Sequence, residues 1–129
     1  MRKVFARSAL VVEADPVVTG KIGLWLAAAG MHMVAARNAK EAIHLLHDAI
    51  FIGCTFDRLI VDYHLREATG CRVLYDFQHE YPSAPVALMT SHDDISINVW
   101  ARTRGVQLLR KPLCADVVME WARRRHAAA

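Results

Sequence analysis

Apolar residues fall in short unbroken runs, separated by longer stretches where they recur at helical spacing. Leu10-Val11-Val12, Leu59-Ile60-Val61 and Val86-Ala87-Leu88-Met89 show no alternation, as expected for strands covered on both faces. Strands are expected at residues 8–13, 31–35, 58–62, 85–90 and 106–109. Pro16 opens a first helix, where its missing N–H costs little. Val18, Ile22, Trp25, Leu26 and Ala29 form the buried stripe of that helix, and Gly30 ends it. Asn38 caps a second helix carrying Ala39, Ala42, Ile43, Leu46 and Ile50. Val73, Leu74, Phe77 and Tyr81 mark a third, stopped by Pro82. A fourth spans residues 94–103, with cap groups from Ser91-His92-Asp93-Asp94, and a fifth runs from 115 to 126. Five strand–helix pairs with short connections predict an α/β chain: a doubly wound, five-stranded parallel sheet with five helices, in one domain over residues 1–129.

Several of those runs end in polar groups. Glu13 follows the first strand, Asp62 closes the third, Thr90 closes the fourth, and Lys111-Pro112 follows the fifth. In an open parallel sheet, ligands bind at the carboxyl ends of the strands. Two acids, a hydroxyl and an ammonium there can form one polar site. Each residue also has a plainer reading, as a solvated strand end, a cap or a surface lysine, and all of these readings would have to hold together.

Composition narrows the classes. The 129 residues are 54% apolar and 22% charged, enough for one core. The net charge of +3 owes much to Arg123-Arg124-Arg125, which reads as a solvated helix end rather than a nucleic-acid face. Cys54, Cys71 and Cys114 are odd in number and far apart, so reduced thiols and a cytoplasmic location are expected. His44 and His47 sit three apart on an expected solvated helix face. The most apolar stretch, 22–36, carries Gly23, Gly30 and His32, and falls short of the roughly 20 apolar residues of a membrane span.

Taken in order, V-V-E-A-D-P, L-I-V-D-Y-H-L with Gly70, P-V-A-L-M-T-S and L-L-R-K-P-L resemble a response-regulator receiver domain of two-component signalling, over essentially the whole chain. The resemblance implies a flavodoxin-like fold of receiver type. It implies that Asp62 is a phosphoacceptor attacking a phosphohistidine on a sensor histidine kinase or phosphotransfer protein, with Thr90 and Lys111 contacting the phosphoryl oxygens. It implies Mg²⁺ held by Glu13, Asp62 and the backbone carbonyl of His64. Output would pass to a downstream protein target through the fourth helix, fifth strand and fifth helix, a face through which two copies could also pair. Direct contact with nucleic acid or membrane is not expected, nor is enzymatic turnover.

The chain departs from the family at several points. Ala14 stands where a second acid, a direct metal ligand, is usual, so Mg²⁺ is expected to bind weakly, with Asp15 a remote substitute. Arg66 replaces a usual proline and Arg110 adds charge beside Lys111. Leu108 replaces the usual aromatic switch residue. The alternative reading is a degenerate receiver that binds a partner whatever the state of Asp62. The fourth helix carries two apolar stripes, Ile95 with Val99 and Ile97 with Trp100 and Ala101, so one must face outward. Trp100 is either an interface anchor or packed under the neighbouring helix; Trp25 and Trp121 are expected in the core. A flavodoxin-like enzyme would need a Gly/Ser-rich phosphate loop where Glu13-Ala14-Asp15-Pro16 stands. The chain reads as a single-domain receiver or a piece of a larger protein, and the Met1 start favours the former.

Overall fold

The computed structural model describes residues 7–65 and 70–124. Five strands, β1 (Arg7–Val12), β2 (Met31–Ala36), β3 (Arg58–Asp62), β4 (Val86–Thr90) and β5 (Gln107–Arg110), alternate with five helices. These are α1 (Pro16–Ala28), α2 (Ala39–Ile52), α3 (Cys71–Glu80), α4 (Ile95–Thr103) and α5 (Ala115–Arg123). The sheet is parallel throughout, in the order β2-β1-β3-β4-β5. The expected doubly wound architecture is therefore present.

Period-two alternation sorts the strand residues between two cores. Leu10, Val12, Leu59, Val61, Val86 and Leu88 face α2, α3 and α4. Ala9, Val11, Ile60, Ala87, Met89 and Leu109 face α1 and α5. On α1, Ile22 and Leu26 are fully buried, while Val18, Trp25 and Ala29 pack at the margin. Trp25 is thus only half-buried, whereas Trp121 is in the core as expected.

Boundaries differ from the sequence reading where caps intervene. Glu13 lies one residue past β1, although its N–H still donates to Ala36 O at 3.0 Å. Asp94 is the N-cap of α4, its carboxylate accepting from Ser96 N at 2.8 Å. Asn38 caps α2 by accepting from Glu41 N at 2.8 Å, and Gly53 ends that helix at φ 79°. The buried stripe of α2 is Ala39, Ala42, Leu46 and Ala49, not the stripe through Ile50, because alternating steps of three and four keep it in line with the sheet. Ile50 is exposed near the end of the helix. The fifth helix stops at Arg123, before the expected residue 126, because Arg124 is extended (φ −61°, ψ 141°). Arg66, Arg125 and the terminal alanines lie outside the described residues.

On α4, Ile97 and Ala101 are buried, and the outward stripe is Ile95 (78% exposed) with Val99 (59%). Trp100 is not a free anchor. It is half-buried against Tyr75 of α3, ring centroids 6.3 Å apart, with the Arg104 guanidinium over both rings.

Candidate functional site

The carboxyl ends of β1, β3 and β5 deliver three charges to one point. Glu13 continues the row Ala9-Val11, Asp62 the row Ile60, and Lys111 the row Leu109, all on the α1/α5 side of the sheet. Lys111 Nζ donates to Glu13 Oε1 at 2.7 Å and to Asp62 Oδ2 at 3.2 Å. Glu13 is 3% exposed and Asp62 is 7% exposed. The Lys111–Pro112 peptide bond is cis.

Backbone contacts fix these groups. Tyr63 N donates to Met89 O at 2.9 Å and Lys111 N to Thr90 O at 2.8 Å, extending the ladder to the rim. Gly70 presses the start of α3 against the end of β3. A Cβ there would overlap the Asp62 carbonyl oxygen and lie 2.9 Å from Val61 Cγ2. No other residue type fits that approach without a shift.

Burial raises the Asp62 pKa, and the neighbouring Glu13 charge adds to this. Lys111, by charge and hydrogen bond, and the His64 N–H pull it back. Burial draws the Lys111 pKa down, but the hydrogen bond to Glu13 and the charges of Asp62 and Glu13 outweigh it, so the net shift is upward. A buried ammonium between two carboxylates stays charged.

Thr90 stands beside this cluster but belongs to the other face, following Leu88. It is 1% exposed, and its hydroxyl accepts from His92 N at 3.1 Å rather than meeting Asp62. Leu108, opposite Leu88 in register, packs half-buried against the α2/α3/α4 core. Asp15 is turned away: it is exposed and caps α1, accepting from Val17 N at 2.9 Å. It therefore does not bring to the pocket the oxygen that the side chain of Ala14 lacks. Arg110 sits on the rim, exposed, and pairs with Asp93 at 3.1 Å.

The donor set fits a hard dication only in reduced form. Glu13 Oε2 already accepts from Asp15 N at 2.9 Å, Oε1 is held by Lys111, and Ala14 supplies no oxygen. Among the described residues, no three His, Cys, Asp or Glu side chains group closely enough to hold a metal. Among the same residues, no helix is long and apolar enough to cross a membrane.

The sequence reading missed one feature at this rim. His64 Nε2 and His92 Nδ1 lie 3.1 Å apart. The β3–β4 register, with Asp62 opposite Met89, places residues two beyond Asp62 and two beyond Thr90 near each other, and could have revealed the pair.

Among curated proteins the chain is similar to regulatory proteins. The chain is 29% identical over 112 residues to the transcriptional regulatory protein GlrR of Escherichia coli (strain K12), covering 86% of this chain and 24% of that protein. It is 27% identical over 108 residues to the response regulator protein PilR of Pseudomonas aeruginosa, covering 83% and 23%. It thus spans about a quarter of the length of these curated relatives. The crystal structure of the signal receiver domain of an HD domain-containing protein from Pseudomonas fluorescens Pf-5 shares the fold, with TM-score 0.77, 23% identity, and coverage of 92% of this chain and 93% of that one. A family model described as the response regulator receiver domain matches residues 9–123, and the chain belongs to that family, a signalling module of two-component systems.

Proposed function

We propose that Asp62 accepts a phosphoryl group from a phosphohistidine on a sensor histidine kinase or phosphotransfer protein, in the cytoplasm, and passes the signal on by protein contact. The observation that carries this reading is the Lys111 ammonium bridging Glu13 and Asp62. A carboxylate nucleophile needs nearby positive charge to receive a phosphoryl group, whose oxygens carry the charge of the transition state.

In the proposed step, one Asp62 carboxylate oxygen forms the new P–O bond as the P–N bond to the donor imidazole breaks. The donor nitrogen keeps the bonding electron pair and is neutralised by a proton on the imidazole. Lys111, with 22% of its side chain exposed, can slide from Glu13 toward a phosphoryl oxygen without leaving the pocket. Thr90 would release His92 N and turn its hydroxyl to a second oxygen. Leu108 lacks the ring that swings with this hydroxyl in the family, so the coupling to β5 would be steric. The stripe of Ile95 and Val99 on α4 is the proposed contact surface for a downstream protein or a second copy.

Receiver domains generally bind Mg²⁺ at their acidic pocket. Here it would be held by Glu13, Asp62 and the His64 carbonyl, and weakly, for want of an oxygen at position 14. When bound, it supplies charge neutralisation for the incoming phosphoryl group.

The test is intact-mass measurement after incubation with Mg²⁺ and acetyl phosphate. A gain of one phosphoryl group that Asp62→Asn abolishes and Ala14→Asp accelerates is the expected result. A gain that persists in Asp62→Asn would overturn the assignment. So would the absence of gain in both the wild type and Ala14→Asp, which leaves a module that acts without phosphorylation.

A further inference from the structure

The geometry points to a transition-metal site formed by His64 and His92, which would tie the rim of β3 to the rim of β4. Their nitrogens, His64 Nε2 and His92 Nδ1, stand 3.1 Å apart, with ring centroids at 4.8 Å and planes at 60°. Two ligands at the Zn–N distance of about 2.0–2.1 Å lie about 3.3 Å apart in tetrahedral geometry and about 2.9 Å apart as octahedral neighbours. The observed separation falls between these values, so one ion can bind both nitrogens once each ring turns its lone pair from the other nitrogen toward the ion. Without an ion the same two atoms share a proton in a hydrogen bond, as neutral imidazoles do.

The backbone of each histidine is held in place. His64 N donates to Asp62 Oδ1 at 3.3 Å, and its ring meets Tyr63 edge-on at 4.8 Å. His92 N donates to Thr90 Oγ1 at 3.1 Å, and Ser91 Oγ lies 3.4 Å from His92 Nδ1. The two backbone contacts fix where each residue sits, while Ser91 Oγ meets the same Nδ1 that would bind the ion and must give way to it. Both rings face an open cavity of about 670 Å³ whose walls include Asp93 and Asp94. It has room for the waters that complete a coordination shell, while Asp93 pairs with Arg110 and Asp94 caps α4.

Imidazole selects zinc, copper and nickel over magnesium, which prefers oxygen. The site is therefore chemically distinct from the acidic pocket, and it stands whether or not Asp62 is phosphorylated. Its position gives it a consequence. The segments it would tie follow Asp62 and Thr90, so a bound ion holds the two rims at fixed separation.

The experiment is calorimetric titration of the full chain with zinc chloride, in reducing, non-chelating buffer, beside His64→Gln, His92→Gln and the double variant His44→Gln/His47→Gln. The last pair controls for the exposed histidines of α2. Because His64 and His92 are exposed, their variants should fold, and metal-free melting curves check this. One zinc per chain is expected, with affinity falling about tenfold or more in each of His64→Gln and His92→Gln and unchanged in the α2 variant. A zinc-dependent rise in melting temperature, absent with equal Mg²⁺, should vanish in the same two variants. No stoichiometric binding, or affinity retained in either His64→Gln or His92→Gln, overturns the proposal.

Discussion

Asp62 is acted on by opposed forces: burial and the Glu13 charge disfavour its ionised form, and Lys111 favours it. The net shift is upward, so the folded chain holds the Asp62 proton more tightly than the unfolded chain does. Stability attributable to this group is therefore greatest in acid and falls as pH rises from the ordinary value of 3.8 through the raised one. Asp62→Asn should melt above the wild type at neutral pH, with the difference shrinking in acid. Thermal melts at both pH values check this, and an Asn variant that melts lower at neutral pH would contradict it. Lys111 is the converse case. Its raised pKa adds stability at every pH below the ordinary 10.5, lost only as pH climbs through the folded value. Lys111→Met leaves Glu13 Oε1 buried without its donor, which should cost about 1–3 kcal/mol at neutral pH. Partial exposure of the lysine favours the lower figure. Urea denaturation of the two chains would measure it. At this scale the sequence was informative for Glu13, Asp62 and Lys111, because each polar residue closes or follows an apolar strand and alternation puts all three on one face. It was silent on Asp15, whose carboxylate is as able to cap α1 as to bind a cation, and only the local backbone decides between them. It was silent too on Trp100, since helical spacing says which residues share a stripe but not which stripe a neighbour covers.

Among the elements, β3 ties the site to the opposite end of the molecule. Asp62 ends the strand and Arg58 begins it, and Arg58 is 3% exposed. Its guanidinium donates to Trp121 O at 2.7 Å and Arg124 O at 2.6 Å, and lies 5.1 Å from the Trp121 ring centroid. Arg7 adds a bond to Ala122 O at 2.7 Å. Two cations thus serve the last carbonyls of α5, where the helix dipole is negative. Burial, and then the charge of Arg7, lowers the Arg58 pKa to about 10, which still leaves it protonated at neutral pH. Sequence reading places Arg58 at a strand start and nothing more, because its partners are more than sixty residues away. Arg58→Ala removes two charge-assisted bonds of about 1.5–3 kcal/mol each, so a loss of several kcal/mol is expected in chemical denaturation. A loss under about 1 kcal/mol would show that water serves those carbonyls equally well. At the other end of β3, Gly70→Ala forces a methyl into the Asp62 backbone. It should destabilise by about 1–3 kcal/mol and, under the proposed function, also slow phosphoryl acceptance, because α3 and Asp62 must separate. Arg72→Ala, on the exposed side of the same helix, should do neither.

For the whole molecule, the strand–helix alternation predicts a doubly wound parallel sheet, and right-handed crossovers leave few ways to wind five such pairs, but only the structure gives the order β2-β1-β3-β4-β5. What alternation could not show is how completely the site is neutralised from within. Among the described residues, two buried carboxylates with one ammonium between them leave a modest negative charge, and position 14 adds no third oxygen. Ion binding is linked to global unfolding, because a ligand that binds only the folded chain stabilises it by RT ln(1 + [L]/Kd). A ligand present at its own Kd therefore contributes only about 0.4 kcal/mol, while one at a hundred times its Kd contributes about 2.7 kcal/mol. Under the proposed function, the lack of an oxygen at position 14 should weaken Mg²⁺ binding by at least about 10–100-fold, the range seen for outer-shell partners. The wild type should then gain almost nothing in melting temperature from sub-millimolar Mg²⁺, and Ala14→Asp should gain several degrees. Ala14→Asp without metal should melt lower than the wild type, because it adds a carboxylate to a pocket whose single ammonium is already shared. Restoring the oxygen and leaving the ion out thus shifts stability one way, and adding the ion shifts it back. A wild-type chain that already gains several degrees from sub-millimolar Mg²⁺ would mean that Glu13 and Asp62 suffice, and that the aspartate missing at position 14 is not what limits the site.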